Sequence, residues 1–333
     1  MFFTNRYSIN HLYLCLIILL SACKSDSKIE VNLDGTEKNV EIRYFDQDFW
    51  KLDSLNFSSS LSELKTSYPD FFLNKDVTDK DWLTRFQDKK IQEFSDSLFQ
   101  LFSDSSLYVK EINSGFKYFQ YHFNGQPIPQ IAFWFSNFEM ETPIVSSRNT
   151  LFIAEEHFLG PNHSFYQGAP DYIKFDKQLP YLSTKVFLEW ASRYNAVDMN
   201  DPTFLAKMIY EGKALYFAEQ LLNLSEENRI IGYPKQDFEW SQKNEGSIWE
   251  YFINKDYLFS NDQKLLRRFI EPSPFSKFYT GNDNVTPGRI GIYIGWQIIK
   301  SYMEHNPEVS LSDLMKEKNA KKILNKSKYK PKI

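Results

Sequence analysis

The sequence predicts an α+β fold in a single domain, with an aromatic-rich N-terminal sheet, antiparallel or mixed, and a mainly helical C-terminal part. Three observations carry this. Aromatic or β-branched runs after residue 114, "GFKYFQYHF", "QIAFWFSNF" and "TLFIAEEHFLG", are separated by Gly, Pro and Asn, the punctuation of short strands. From Tyr181 onward, apolar residues recur at helical spacing over 181–195, 202–223, 245–259, 262–270, 287–305 and 310–325. Strands followed by helices, with no βαβ alternation, are the pattern of an α+β domain.

Taken in order, residues 1–22 read as a signal peptide. "MFFTNRYSINH" carries Arg6 and no acid, and the nine apolar residues "LYLCLIILL" follow it. That run is too short to span a hydrocarbon core of ~30 Å and suits the apolar region of a secretory signal. The next residues, "LSAC", resemble a bacterial lipobox, which implies cleavage before Cys23 and acylation of its thiol and new amino group. Residues 23–30 then form a polar, lipidated tether. No other segment approaches a membrane-spanning length, so the acyl chains are the expected attachment, and several of them anchor firmly. "CKSDSK" has no dense acidic run that reads as a surface-export signal. The two cysteines are Cys15 and Cys23. A mature chain with no disulfide must draw its stability from core burial.

The domain is expected over 31–315. "KNVEIRYFDQDFW" alternates and reads as a strand ending in a turn, and "SSSLSELKTSYPDFF" as a short helix stopped at Tyr-Pro. In "DKDWLTRFQDKKIQEFSDSLFQLF" the apolar positions 82, 83, 86, 91, 94, 98, 101 and 102 give helical spacing with a break near Asp88. "PDYIKFDKQLP" reads as loop. Residues 316–333 form a basic C-terminal tail of eight Lys and one Glu, read as a solvated charge run. The net charge is −4; without Arg6 it is −5, and with the tail's +7 set aside residues 23–315 carry −12. An acidic body of this kind argues against a nucleic-acid partner.

The usual catalytic signatures are missing: there is no GxSxG, P-loop, GxGxxG or CxxC. "EEHFLGPNH" sets His157 and His163 around a Gly-Pro turn beside Glu155 and Glu156. Without a helical i,i+4 pair or a cysteine, these are weak metal candidates against a loop with incidental histidines. Two glutamates remain. Glu211 in "YEGKALYFAEQLL" falls within the apolar arc of its helix, where a carboxylate needs a partner. Glu189 in "KVFLEWASRY" shares the polar side with Lys185 and Ser192, where solvation suffices. Arg289 is expected in the first turn of the helix in "TPGRIGIYIGWQII", where the helix dipole disfavours a cation. It is assigned a structural role, with Glu211 as its expected partner. Gly291 and Gly295, four residues apart, give that helix a flat side for close packing.

Order and spacing extend the reading. A strand, then "LEWAS", then "YEGKA" resembles the layout of glutamate-type zincin metallopeptidases, whose first helix carries HExxH and whose second begins with a ligand glutamate. In that likeness Leu188 and Ser192 stand where the histidines belong, Glu189 where the base belongs, and Glu211 at the third ligand. "TPGRIGIYIGWQII", "FIEPSPFSKFY", the terminal "KSKYKP" and the lipobox together resemble the GldB gliding motility lipoprotein family of Bacteroidetes, over most of the mature chain. The combined resemblance implies a degenerate zincin-like fold with no metal, no cofactor and no catalysis, leaving Glu189 and Glu211 vestigial. It further implies an envelope lipoprotein, on the periplasmic face of the outer or inner membrane, that supports gliding motility and the type IX secretion machinery through other envelope proteins. The alternative is an envelope-anchored hydrolase with an atypical site around Glu189 and Glu211, aided by a loop histidine.

Overall fold

Alternation along the chain builds one small mixed sheet. In the computed structural model, which describes residues 39–332 apart from 75, 104–105 and 282, the strands are β1 (Ile42–Tyr44), β2 (Gln130–Trp134), β3 (Ile144–Ser147) and β4 (Thr150–Ala154). Their order is β1-β2-β4-β3; β1, β2 and β4 are parallel, and β3 pairs antiparallel to β4 at one edge. The signal peptide, Cys23 and the tether lie outside the described residues.

Between β1 and β2 the described residues form the helices α1 (Phe45–Phe49), α2 (Phe57–Ser67), α3 (Asp79–Gln87), α4 (Lys89–Ser103) and α5 (Ser106–His122). The break near Asp88 is where α3 ends and α4 begins. Successive strand residues point to opposite faces, and the sheet uses both. Ile131, Phe133, Leu151 and Ile153 enter the main core. Trp134 and Phe152 meet the ring of Phe71, at 4.6 and 5.4 Å, on the side covered by a second cluster built on Phe45, Phe49, Leu61 and Trp82.

The stretch "GFKYFQYHF", expected as a strand, is the second half of α5. Its aromatic content suits a strand, but Ile112, Phe116 and Phe119 recur at helical spacing and are fully buried. The helical period therefore decides. Gly115 in the same helix touches the Phe187 ring, where an added Cβ would lie 2.3 Å from Cζ.

After β4 come α6 (Asp171–Lys174), within the segment expected as loop, then α7 (Leu182–Ser192), α8 (Phe204–Leu222), α9 (Glu227–Ile231), α10 (Lys235–Asn254), α11 (Lys264–Phe269), α12 (Ile290–His305), α13 (Leu311–Lys316) and α14 (Ala320–Ser327). The fold is α+β with a helical C-terminal part. Thr203 caps α8, its hydroxyl accepting from Ala206 N at 3.2 Å, and Asn223 ends it in the left-handed region at φ 49°. α8 and α12 meet backbone to backbone. A Cβ on Gly212 would lie 2.4 Å from Gly295 C, and one on Gly295 would lie 2.0 Å from Met208 O.

The basic stretch 316–333 is not a free tail. Ala320, Ile323 and Ser327 are buried along one side of α14, with the lysines turned outward. Tyr329 Oη donates to Glu245 Oε1 at 2.8 Å, while Tyr293 Oη donates to the other oxygen at 2.9 Å. Lys213, 1% exposed, donates its ammonium to Ala196 O and Glu317 O, both at 2.8 Å, and locks the α13–α14 connection onto α8. Counting lysines hid an amphipathic helix whose apolar side is only three or four residues per two turns wide.

Candidate functional site

α7 and α8 pack side by side, and α12 crosses α8 at the glycine contact. Together they leave a cavity of about 190 Å³ walled by Leu188 and Ser192 of α7, Glu211 of α8, and Arg289 and Ile292 at the head of α12. The structure therefore brings three of the positions named by the zincin-like resemblance, 188, 192 and 211, into one wall. It does the same for Arg289.

Glu189 does not line that cavity. Leu188 and Ser192 are four apart and share a side, whereas Glu189 is turned by about 100°. Its Oε1 accepts the backbone N–H of Ser146 in edge strand β3 at 3.1 Å. That N–H points away from β4, so Glu189 occupies a main-chain donor that an incoming strand would use. Arg193, one turn on, donates to Ser146 Oγ at 3.2 Å and lies over the Trp190 ring. Simple solvation thus does not describe Glu189. Burial raises its pKa, against lowering by the Ser146 N–H and Arg193.

Glu211 pairs one turn back along its own helix, with Lys207 Nζ at 2.6 Å. The expected ion pair with Arg289 does not form. Arg289 precedes α12 rather than lying in its first turn, in the left-handed region at φ 59°. From there its Nη2 donates to Ile231 O at 2.7 Å, and its guanidinium stands over the Tyr233 ring. Arg289 has a structural job, but its partner is a carbonyl rather than a carboxylate. Tyr233 in turn donates its hydroxyl to Gly288 O, which closes the turn.

The cavity holds one further group that spacing did not reveal. Asn195, 6% exposed, donates its amide to Tyr210 O at 2.8 Å, which fixes the orientation of the amide; its Oδ1 has no protein partner. Ser192 donates to Glu189 O at 2.7 Å, so its hydroxyl hydrogen is committed to its own helix.

The two loop histidines do not converge. His157 accepts from Lys177 Nζ on Nδ1 at 2.8 Å and, as the Nε2–H tautomer, donates to Met140 O at 2.9 Å. Both of its nitrogens are occupied by protein groups. Burial, with Lys177 adding to it, lowers its pKa. His163 caps a short turn, its Nδ1 accepting from Phe165 N at 3.3 Å. Among the described residues no group of three or more His, Cys, Asp or Glu is arranged to hold a metal ion.

Asp46, Glu155 and Glu156 are more deeply placed than either Glu189 or Glu211. Asp46 is buried between Arg85 Nη2 at 2.8 Å and the backbone N–H of Phe135 at 2.6 Å. Glu156, 0% exposed, accepts from the main chain at Ser136 and Phe138 at 3.2 and 3.0 Å, and from the Ser136 hydroxyl. Glu155 is beside them, and burial, reinforced by the charges of Asp46 and Glu156, pushes its pKa well above the usual carboxylate range. Their signal was an acidic pair directly after β4, all five of whose residues are buried. Asp46 and Glu156 hold the 135–140 loop to the end of the sheet.

No helix among the described residues is long and apolar enough to cross a membrane. No curated protein and no solved structure matches the chain. The family model for gliding motility protein GldB matches residues 26–331. The chain therefore belongs to the GldB gliding motility family, and membership implies a role in gliding motility.

Proposed function

We propose that this chain is a non-catalytic cell-envelope lipoprotein, anchored through Cys23 on the periplasmic side, that serves the gliding apparatus and its associated type IX secretion machinery as a scaffold for partner proteins. Its fold, in this reading, is a zincin-like frame without the metal chemistry. One observation carries the reading: the cavity that gathers 188, 192 and 211 contains one carboxylate and no imidazole, and the acid of "LEWAS" lies outside it, bound to the edge strand.

The chemistry follows from the donors. A catalytic zinc needs about three protein ligands and an open position for water. Leu188 has no donor atom, the Ser192 hydroxyl is neutral and engaged, and Glu211 is paired with Lys207. Without ligands to hold a metal-bound water, Glu189 would have no such water to deprotonate. Its carboxylate serves the sheet edge instead.

Metal analysis of the purified lipid-free domain tests this. The expected result is sub-stoichiometric zinc that dialysis removes. Tight stoichiometric zinc, abolished by Glu211→Gln, would overturn the proposal.

A further inference from the structure

We propose that the open groove between α3, the 135–140 loop and the outer face of the sheet is the docking site for a partner segment that is apolar and carries Lys or Arg. The inference rests on the scaffold reading above and adds the docking face and the chemistry of its occupant. The groove has a volume of about 810 Å³, within the usual range of ligand clefts. Its floor is aromatic, made by Phe71, Trp82, Trp134 and Phe152. Three large apolar side chains stand around it in water, Leu73 at 40%, Val77 at 41% and Val145 at 40% exposure. Apolar side chains gathered at one depression mark an interaction surface, where isolated ones do not.

Charge selects the occupant. Asp70, Asp76, Asp81, Asp88 and Glu139 line the groove, Asp70 being engaged by Arg148 at 3.7 Å and by the Thr150 hydroxyl at 2.9 Å, and among the described lining residues the cationic one is Arg85. That guanidinium is turned inward, 12% exposed, onto Asp46 and onto Phe135 O at 2.7 Å. Asp81 and Asp88 accept main-chain hydrogen bonds at helix starts. Asp81 accepts from Thr78 N at 2.7 Å, and Asp88 from Lys90 N at 2.9 Å; the hydrogen bonds from Thr78 hold Asp81 below the usual carboxylate range. An acidic segment laid here would meet like charge, and a purely apolar one would desolvate carboxylates without replacing their water. A segment that alternates apolar residues with Lys or Arg fills the floor and neutralises the rim together.

The test uses two dye-labelled synthetic peptides of about eight residues, one alternating Leu and Lys and its counterpart alternating Leu and Glu, with fluorescence anisotropy on the full lipid-free chain. The expected result is binding of the Lys peptide at micromolar order, on the order of tenfold weaker as salt rises from about 0.05 to 0.3 M, and no binding of the Glu peptide. Asp76→Lys with Glu139→Lys should weaken the Lys peptide at least about tenfold. The same reversal at Glu250 and Glu304, exposed on α10 and α12 outside the groove, should leave it within about twofold, which separates a site from general attraction to an acidic body. Val77→Asn, at an exposed position, should weaken binding with the charges intact. Absence of Lys-peptide binding, equal binding of both peptides, or equal loss in the two charge-reversal variants would each overturn the docking site. The scaffold reading is tested separately by gliding of cells carrying Glu189→Gln with Glu211→Gln, so each can fail alone.

Discussion

Replacing Gly295 by alanine tests how closely the helices that frame the cavity are packed. The new Cβ would lie 2.0 Å from Met208 O and 2.6 Å from Met208 C. An ordinary C···O approach is about 3.3 Å, so one helix must move by more than about 1 Å. Neither side can yield locally, because the opposing atoms are main chain within α8. Separation would loosen Met208, Leu215, Ile292, Trp296 and Ile299, all at most 7% exposed. Overpacking of a well-filled core costs about 1–3 kcal/mol, and more where backbone is the obstacle. The gain in helix propensity on going from Gly to Ala returns about 1 kcal/mol. A net loss of about 2 kcal/mol or more is expected, a large share of a typical domain stability of about 5–15 kcal/mol. Urea unfolding followed by tryptophan fluorescence measures it. Gly281→Ala, with nothing within 4 Å of its added Cβ, should change stability by less than about 0.5 kcal/mol. Gly291→Ala, whose Cβ would meet Phe269 O at 2.9 Å, should fall between. A Gly295→Ala protein as stable as the parent would refute the packing argument.

Lys213→Met should cost about 1–3 kcal/mol and free the C-terminal helices first, because carbonyls at 196 and 317 lose their buried donor. Hydrogen exchange in α14, ahead of α8, would record it. Glu155→Gln should stabilise the domain near neutral pH by about 1–2 kcal/mol. The folded pKa of Glu155 lies above the unfolded one, so its contribution is fully present below the unfolded value and is lost as pH rises toward the folded value. The variant should lack that decline in a series of urea midpoints against pH, and an unchanged decline would count against the assignment. Glu189→Ala should cost about 1–2 kcal/mol by leaving the Ser146 N–H without its acceptor, whereas Glu189→Gln, whose amide oxygen can still accept, should cost less.

Long, strongly periodic segments were legible. α7, α8 and α12 lie where apolar spacing placed them, and the Gly291–Gly295 side of α12 does meet neighbouring backbone. Short elements were not. β3 has four residues and takes its identity from β4, a non-local partner. Aromatic richness suits a strand and a helix equally, and in α5 only the spacing of Ile112, Phe116 and Phe119 separates them. The lysine-rich stretch packs through α14, and net charge says nothing about which face of a helix is buried.

The site was legible as a set of positions and illegible as a set of contacts. The likeness to zincins named 188, 192 and 211 together; helical register accounts for 188 and 192 sharing a side of α7, while 211 joins them only through the packing of α8. Glu211 was assigned to Arg289, but Lys207 is one turn away on the same helix and needs no tertiary folding to be reached. Arg289 is held by a left-handed backbone that no helical wheel represents. Glu189 was placed on a solvated side because the wheel of α7 contains no information about β3.

The central claim, that this chain supports gliding as a scaffold without hydrolytic chemistry, is tested most directly by one measurement: gliding of cells whose only copy carries Glu189→Gln with Glu211→Gln, at parental envelope levels and with parental unfolding behaviour. The account predicts parental gliding. Arrest of gliding by this folded, normally abundant double variant would contradict it.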